Sequence, residues 1–249
     1  MKEQLVTEKR IRNTTVFSLL FFVFAFYMGI FIWKAIRKEP QAAGIPTTLR
    51  KGLMYNEALF GSTFNANKLV NTYPVSEAVK KVRVNGNLGL KDTNIDTANW
   101  RLKVVRNSGD TLFFSLDEIK KLPKTEIVFD FKCIEGWSQK TWWGGVKFSD
   151  FINYYHLNDE AKLNYVGLIT PDKEYYVGND MKSMLHPQTL LCYEMNGNPL
   201  PVNQGYPLRL IIPLKYGIKH LKRIGTIYFS NERPPDYWAE RGYDYYAGH

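Results

Sequence analysis

Residues 126–152 read EIVFDFKCIEGWSQKTWWGGVKFSDFI. Glu126–Cys133 packs β-branched and aromatic residues into a short run, which predicts a strand. The run ends in CIEGWSQKTWWGG (133–145), a turn with three tryptophans and three glycines. An aromatic loop at a strand end predicts the rim of a small-molecule pocket. KFSDFINYY (147–155) has helical spacing, with Ser149 or Asp150 suited to its start.

Outward from this stretch the pattern alternates strand and short helix. KKVRVNGNLGL (80–90) and WRLKVVR (100–106) alternate as strands do. TLFFSL leads into SLDEIKKL, where Ser115 is placed to cap a helix with Glu118 three residues on. LNYVGLIT (163–170) and YPLRLIIP (206–213) read as buried strands, and MNGNPLP (195–201) holds a hairpin turn. Such strands with interspersed short helices predict an α+β domain.

The composition bounds the function. The chain has 249 residues, 45% apolar and 23% charged, enough for a real core and incompatible with disorder. Two cysteines, Cys133 and Cys192, exclude a disulfide framework and any all-cysteine zinc or iron–sulfur site. No C-x-x-C-H occurs, which excludes covalent c-type haem, and no P-loop, dinucleotide fingerprint or nucleophile elbow occurs either. His156, His186, His220 and His249 are scattered without metal-ligand spacing.

The net charge of +9 is unevenly placed: residues 1–51 carry nine Lys/Arg against three acidic residues. The excess flanks an apolar stretch, which points to membrane topology and not to nucleic acid. The 21 residues between Arg12 and Lys34 have no charge. At about 1.5 Å per residue they match a hydrocarbon core of roughly 30 Å. Tyr27 and Trp33 suit an interfacial position. The small residues at 41–44 come too late for a signal-peptide cleavage site, so an uncleaved anchor is expected. The division is a tail at 1–12, a transmembrane anchor at 13–36, a tether at 37–50 and one folded domain at 51–249. Basic residues are near-equal on both flanks, so the positive-inside rule does not orient the span.

Two places are equipped for chemistry. Cys133 sits at a strand end beside Lys132, which would favour the thiolate that binds soft metals or attacks electrophiles. The alternative is a buried small apolar residue. Cys192, inside TLLCYEM, reads as core. The second place is LKYGIKHLKRIG (214–225): Lys215, Lys219, His220, Lys222 and Arg223, with Arg209 nearby, form either a phosphate-sized basic site or a solvated loop.

The stretches FKCIEGWSQKTWWGGVKFSDFI (131–152), HPQTLLCYEMNGNPLP (186–201) and YPLRLIIPLKYGIKHLKRIGTIYFSNERPPDYWAERGY (206–243) together resemble the sulfite-oxidase-type molybdopterin-binding domain. That family includes the catalytic subunit of bacterial protein-methionine-sulfoxide reductase. The resemblance implies a mixed α+β fold around one molybdenum-molybdopterin, with Cys133 as the thiolate ligand to molybdenum. It places Thr170, Gln204, Arg209, Lys219, His220, Leu221 and Lys222 at the cofactor, and Asn56 and Glu57 at an early contact. It implies oxygen-atom transfer on a small S- or N-oxide, methionine-sulfoxide or sulfite-like substrate. Electrons would be exchanged with a membrane redox partner, a b-type cytochrome or quinol-linked subunit, and the domain would be periplasmic on a single-pass inner-membrane anchor. Gln204 departs from the asparagine of the methionine-sulfoxide-reductase type. The rival expectation is a non-catalytic scaffold or electron-transfer subunit retaining the fold.

Overall fold

A computed structural model describes residues 7–249 apart from 63–64, 66–67, 85, 92–95 and 97. The chain divides into two compact units, Met1–Tyr55 and Asn56–His249. The first holds helix α1 (Glu8–Arg37), none of whose residues is buried. Among the described residues it is the one helix long and apolar enough to cross a membrane. A small hairpin of β1 (Gln41–Ala42) and β2 (Ile45–Pro46) follows, then helix α2 (Thr47–Gly61).

The described residues of the second unit build two five-stranded sheets. One joins β5 (Lys124–Lys132), β6 (Ser138–Lys147), β9 (Leu190–Met195), β10 (Asn198–Pro199) and β11 (Arg209–Ile211). The other runs in the order β4 (Thr111–Phe114), β3 (Leu102–Val105), β12 (Thr226–Ser230), β7 (Tyr165–Ile169), β8 (Tyr176–Asp180). Within it β12 lies parallel to β3, pairing Thr226 with Lys103. The main core packs Leu102, Val104, Phe151, Ile152, Leu168 and Ile227 between this sheet and its neighbours. A smaller core, with Phe129, Phe131, Trp143, Cys192 and Ile211, lies against the first sheet.

Several expectations take definite form. Ser115 caps α3 (Leu116–Lys120) in a reciprocal box with Glu118. Asn196 and Gly197, both at positive φ, turn β9 into β10, as the turn sequence requires. Three readings are corrected. Residues 138–145, read as part of an aromatic loop, belong to the long strand β6, paired with β5 from Lys132↔Ser138 to Lys124↔Val146. The alternation of Thr141, Trp143 and Gly145 on one side of the strand was hidden by the glycines, which sit at a bulge against β9. The helix after it, α4 (Phe148–Tyr154), starts at Phe148, ahead of Ser149 and Asp150, with Lys147 at its N-cap and no side-chain cap; burial of Phe148, Phe151 and Ile152 holds it instead. Finally, the described residues of 80–90 form no strand. They run as a strap tied to β6 by Val79 N–H on Lys140 O and to the β9–β10 turn by Asn196 Nδ2 on Val79 O.

Candidate functional site

The β5–β6 hairpin turn presents Cys133. Cys133 N–H donates to Trp137 O and Gly136 N–H to Cys133 O, so residues 134–137 fold back tightly and leave the cysteine where β5 ends. Cys133 is 3% exposed and lies on the wall of a cleft of about 140 Å³. His220 and Lys222 line the same cleft, as do Tyr175, Trp238 and Tyr243. This volume is small against the roughly 300–1,000 Å³ of ordinary ligand pockets, so a whole pterin requires the lining to part.

The electrostatics of the cleft follow from burial. Lys222 donates to Gly86 O, and its pKa falls to about 7 because it is desolvated and faces Arg209, against the attraction of Cys133. Lys222 is thus a cation that faces Cys133; Lys132, the neighbour of Cys133 in sequence, has its Nζ 3.3 Å from His249 Nδ1. His220 is pushed down to about 3 by burial and by Arg209, and its ring bridges Lys215 O and Ile212 N–H as a neutral imidazole. Arg209, 1% exposed, is depressed to about 10 by desolvation. One of its terminal nitrogens donates to both Gln204 O and Gln204 Oε1, and its guanidinium lies 4.5 Å from the Trp143 ring. Its Nε has no hydrogen-bond partner among the described residues. A buried guanidinium left one donor short, close to a desolvated ammonium, is a surplus of positive charge that an anionic ligand would neutralise. The residues present thus fit a phosphate-bearing, thiolate-ligated group.

The other predicted site residues fall at different places. Thr170 is buried behind the cleft: its hydroxyl donates to Asp172 and accepts from Tyr175 N–H, and the Tyr175 ring lines the cleft. Leu221 belongs to the main core. Lys219 is ion-paired to Asp236 and also donates to Gly178 O, so its charge is already balanced. Asn56 and Glu57 line a separate cavity with Asp244, Tyr246 and His249, and Glu57 meets Arg233 at 2.8 Å. Cys192 is fully buried in β9, its thiol pushed up to about 12 by desolvation, which makes it core.

Sequence reasoning missed Tyr175, from the turn before β8, and Trp238 and Tyr243, which flank one short turn some sixty residues later. It also missed Arg83, whose guanidinium stacks 4.6 Å from the Trp137 ring beside Glu135. Only the richness in aromatic residues hinted at them, without saying which would converge.

Residues 89–238 match the family described as the oxidoreductase molybdopterin binding domain. The chain belongs to this family. It is 34% identical over 195 residues to a protein of Azospira oryzae provisionally named protein-methionine-sulfoxide reductase subunit YedZ1, covering 78% of this chain and 73% of that one. It is 32% identical over 171 residues to the protein-methionine-sulfoxide reductase catalytic subunit MsrP of Campylobacter jejuni, covering 62% and 58%. The sulfane dehydrogenase SoxCD of Paracoccus pantotrophus superposes with a TM-score of 0.50 at 16% identity, over 56% of this chain and 40% of the solved one. That likeness shows the fold alone: the expected α+β, sulfite-oxidase-type architecture is present, and the chain is a molybdopterin-type oxidoreductase by family.

Proposed function

We propose that this chain carries out oxygen-atom transfer on a small S- or N-oxide, of the methionine-sulfoxide kind, as the membrane-attached catalytic component of a molybdenum oxidoreductase. The observation that supports this is the placing of Cys133 on one cleft wall with Lys222 and His220, backed by Arg209 with its unpartnered Nε. Cys133 would be the thiolate ligand to molybdenum, a soft donor that suits and tunes such a metal. Arg209, Gln204, His220 and Lys222 would hold the molybdopterin and its phosphate, with Thr170 and Leu221 shaping the walls behind. Bound there, the cofactor supplies the two-electron oxygen chemistry that no side chain here provides. When protonated, Lys222 would favour a thiolate at Cys133, and the buried walls would exclude water from the sulfur. Trp238, Tyr243 and Glu135 stand at the cleft where a substrate would enter.

Two cysteines leave no iron–sulfur ligand set, so electrons would pass singly to or from a partner, a b-type cytochrome or quinol-linked subunit. Helix α1 would be the anchor that holds both in one inner membrane, the folded domain at 51–249 lying on the periplasmic side. The names of the relatives support the methionine-sulfoxide reading.

Elemental and pterin analysis of the detergent-purified chain, expressed with cofactor biosynthesis intact, tests the proposal. About one molybdenum per chain in the wild type, lost or inactive in Cys133→Ala, is the expected result. Well-folded wild-type protein with neither pterin nor metal would overturn it in favour of the non-catalytic scaffold.

A further inference from the structure

The segment 214–222 does two jobs at once. His220 and Lys222 line the Cys133 cleft, while Lys215 and Lys219 leave it and enter the protein, where they are 1% and 0% exposed. Lys215 meets Asp180 at 2.7 Å, and Lys219 pairs with Asp236 and donates to Gly178 O at 2.9 Å. Asp236 in turn accepts from Gly178 N–H and Ala239 N–H, so the second pair is tied to β8 and to the 236–239 turn.

Over both ammonium groups lies an aromatic cover from residues 243–249. The Tyr246 ring centroid is 3.0 Å from Lys215 Nζ, and the Tyr245 ring centroid is 4.4 Å from Lys219 Nζ. Tyr245 is seated by its hydroxyl on Pro234 O and by Gly178, where a β-carbon would come within 2.0 Å of the Tyr245 oxygen. The backbone is joined too: Tyr216 N–H donates to Ala247 O, His249 N–H to Leu214 O, and Lys215 forms an antiparallel bridge with Gly248. A cation under an aromatic face is attracted to it, more strongly when both are out of water.

We propose that Tyr245 and Tyr246 are positioning residues: by clamping Lys219 and Lys215 they hold His220 and Lys222 in register against Cys133, so that retention of an anionic cofactor depends on this cover. The cofactor part of the inference rests on the function proposed above; the ordering of the segment does not. Neither tyrosine lines the Cys133 cleft. Their action passes through the two lysines and through the short 3-10 turn Gly217–Lys219 between them. Tyr175, whose hydroxyl donates to Ile218 O, braces that turn from the cleft side.

The test compares two paired variants of the full chain, Tyr245→Phe with Tyr246→Phe and Tyr245→Leu with Tyr246→Leu. Hydrogen exchange is read at the amides of Lys219, His220 and Leu221, which are hydrogen-bonded within the segment. Pterin and molybdenum per chain are read after gel filtration. The phenylalanine pair keeps the ring faces and is expected to keep both readings. The leucine pair is expected to lower protection of these amides by at least tenfold, the loss of two desolvated cation–π contacts being worth no less, and to release pterin in step. Unchanged protection in the leucine pair would overturn the proposal. So would an equal loss in the phenylalanine pair, or a loss spread evenly through β5 and β6, which would mean a general loss of stability. If the wild type holds no pterin, the function proposed above fails, and the exchange comparison still decides the clamp.

Discussion

Lys215 and Lys219 on one side, and Arg209 on the other, are all almost fully buried, yet they are balanced in opposite ways. Each lysine has a carboxylate, Asp180 or Asp236, and a tyrosine ring over it. Arg209 has a glutamine, a tryptophan face and a nitrogen with no partner among the described residues. Sequence alone presents them as one basic cluster. The difference teaches that charge in a cluster is available to a ligand only where the fold has not already neutralised it.

The comparison can be broken most decisively at Cys133, on the unneutralised side. Cys133→Ser should cut turnover by more than about 100-fold, since even indirect supports of a metal are worth about 10–100-fold. Molybdenum content and turnover measured together check this. On the neutralised side, Lys219→Met leaves Asp236 buried with backbone donors only and should cost about 3–5 kcal/mol in chemical denaturation. Arg209→Met should behave oppositely: stability of the cofactor-free chain within about 1 kcal/mol of wild type, because a desolvated charge is removed, while pterin content falls about tenfold. Equal effects of the two substitutions on stability would erase the distinction.

A pH measurement sharpens it further. Lys222 titrates at about 7 in the folded chain against 10.5 as a free side chain, because burial and Arg209 oppose its charge. Between those values the unfolded chain binds the proton that the folded chain has given up. This residue therefore makes stability rise with pH from about 7 to 10.5, and Lys222→Met should flatten that slope in the cofactor-free protein. The smallest effect belongs to the scaffold: Ser115→Ala removes the α3 cap at about 1 kcal/mol in denaturation, with pterin content unchanged.

Much of this was legible in the residues themselves. The run Glu126–Cys133, the Ser115–Glu118 box and the Asn196-Gly197 turn are local devices, and local chemistry suffices to place them. The cleft was half legible: Cys133 and the basic stretch stood out by residue type. The strand β6 did not, because Gly144 and Gly145 interrupt its alternation and only β5 and β9 on either side make it a strand. Nor did the strap that begins at Val79, which is tied to β6 and to the β9–β10 turn and does not enter a sheet.

By itself the sequence determined the class of the protein, its one long apolar helix and the residue types that its chemistry draws on, since these depend on composition and on neighbours a few positions apart. Tertiary structure alone decided that β12 lies beside β3, that Lys222, distant in sequence, faces Cys133, and that Asp180 and Asp236 claim two of the lysines. Those outcomes depend on which distant groups share a buried space, where pairing and desolvation outweigh proximity along the chain.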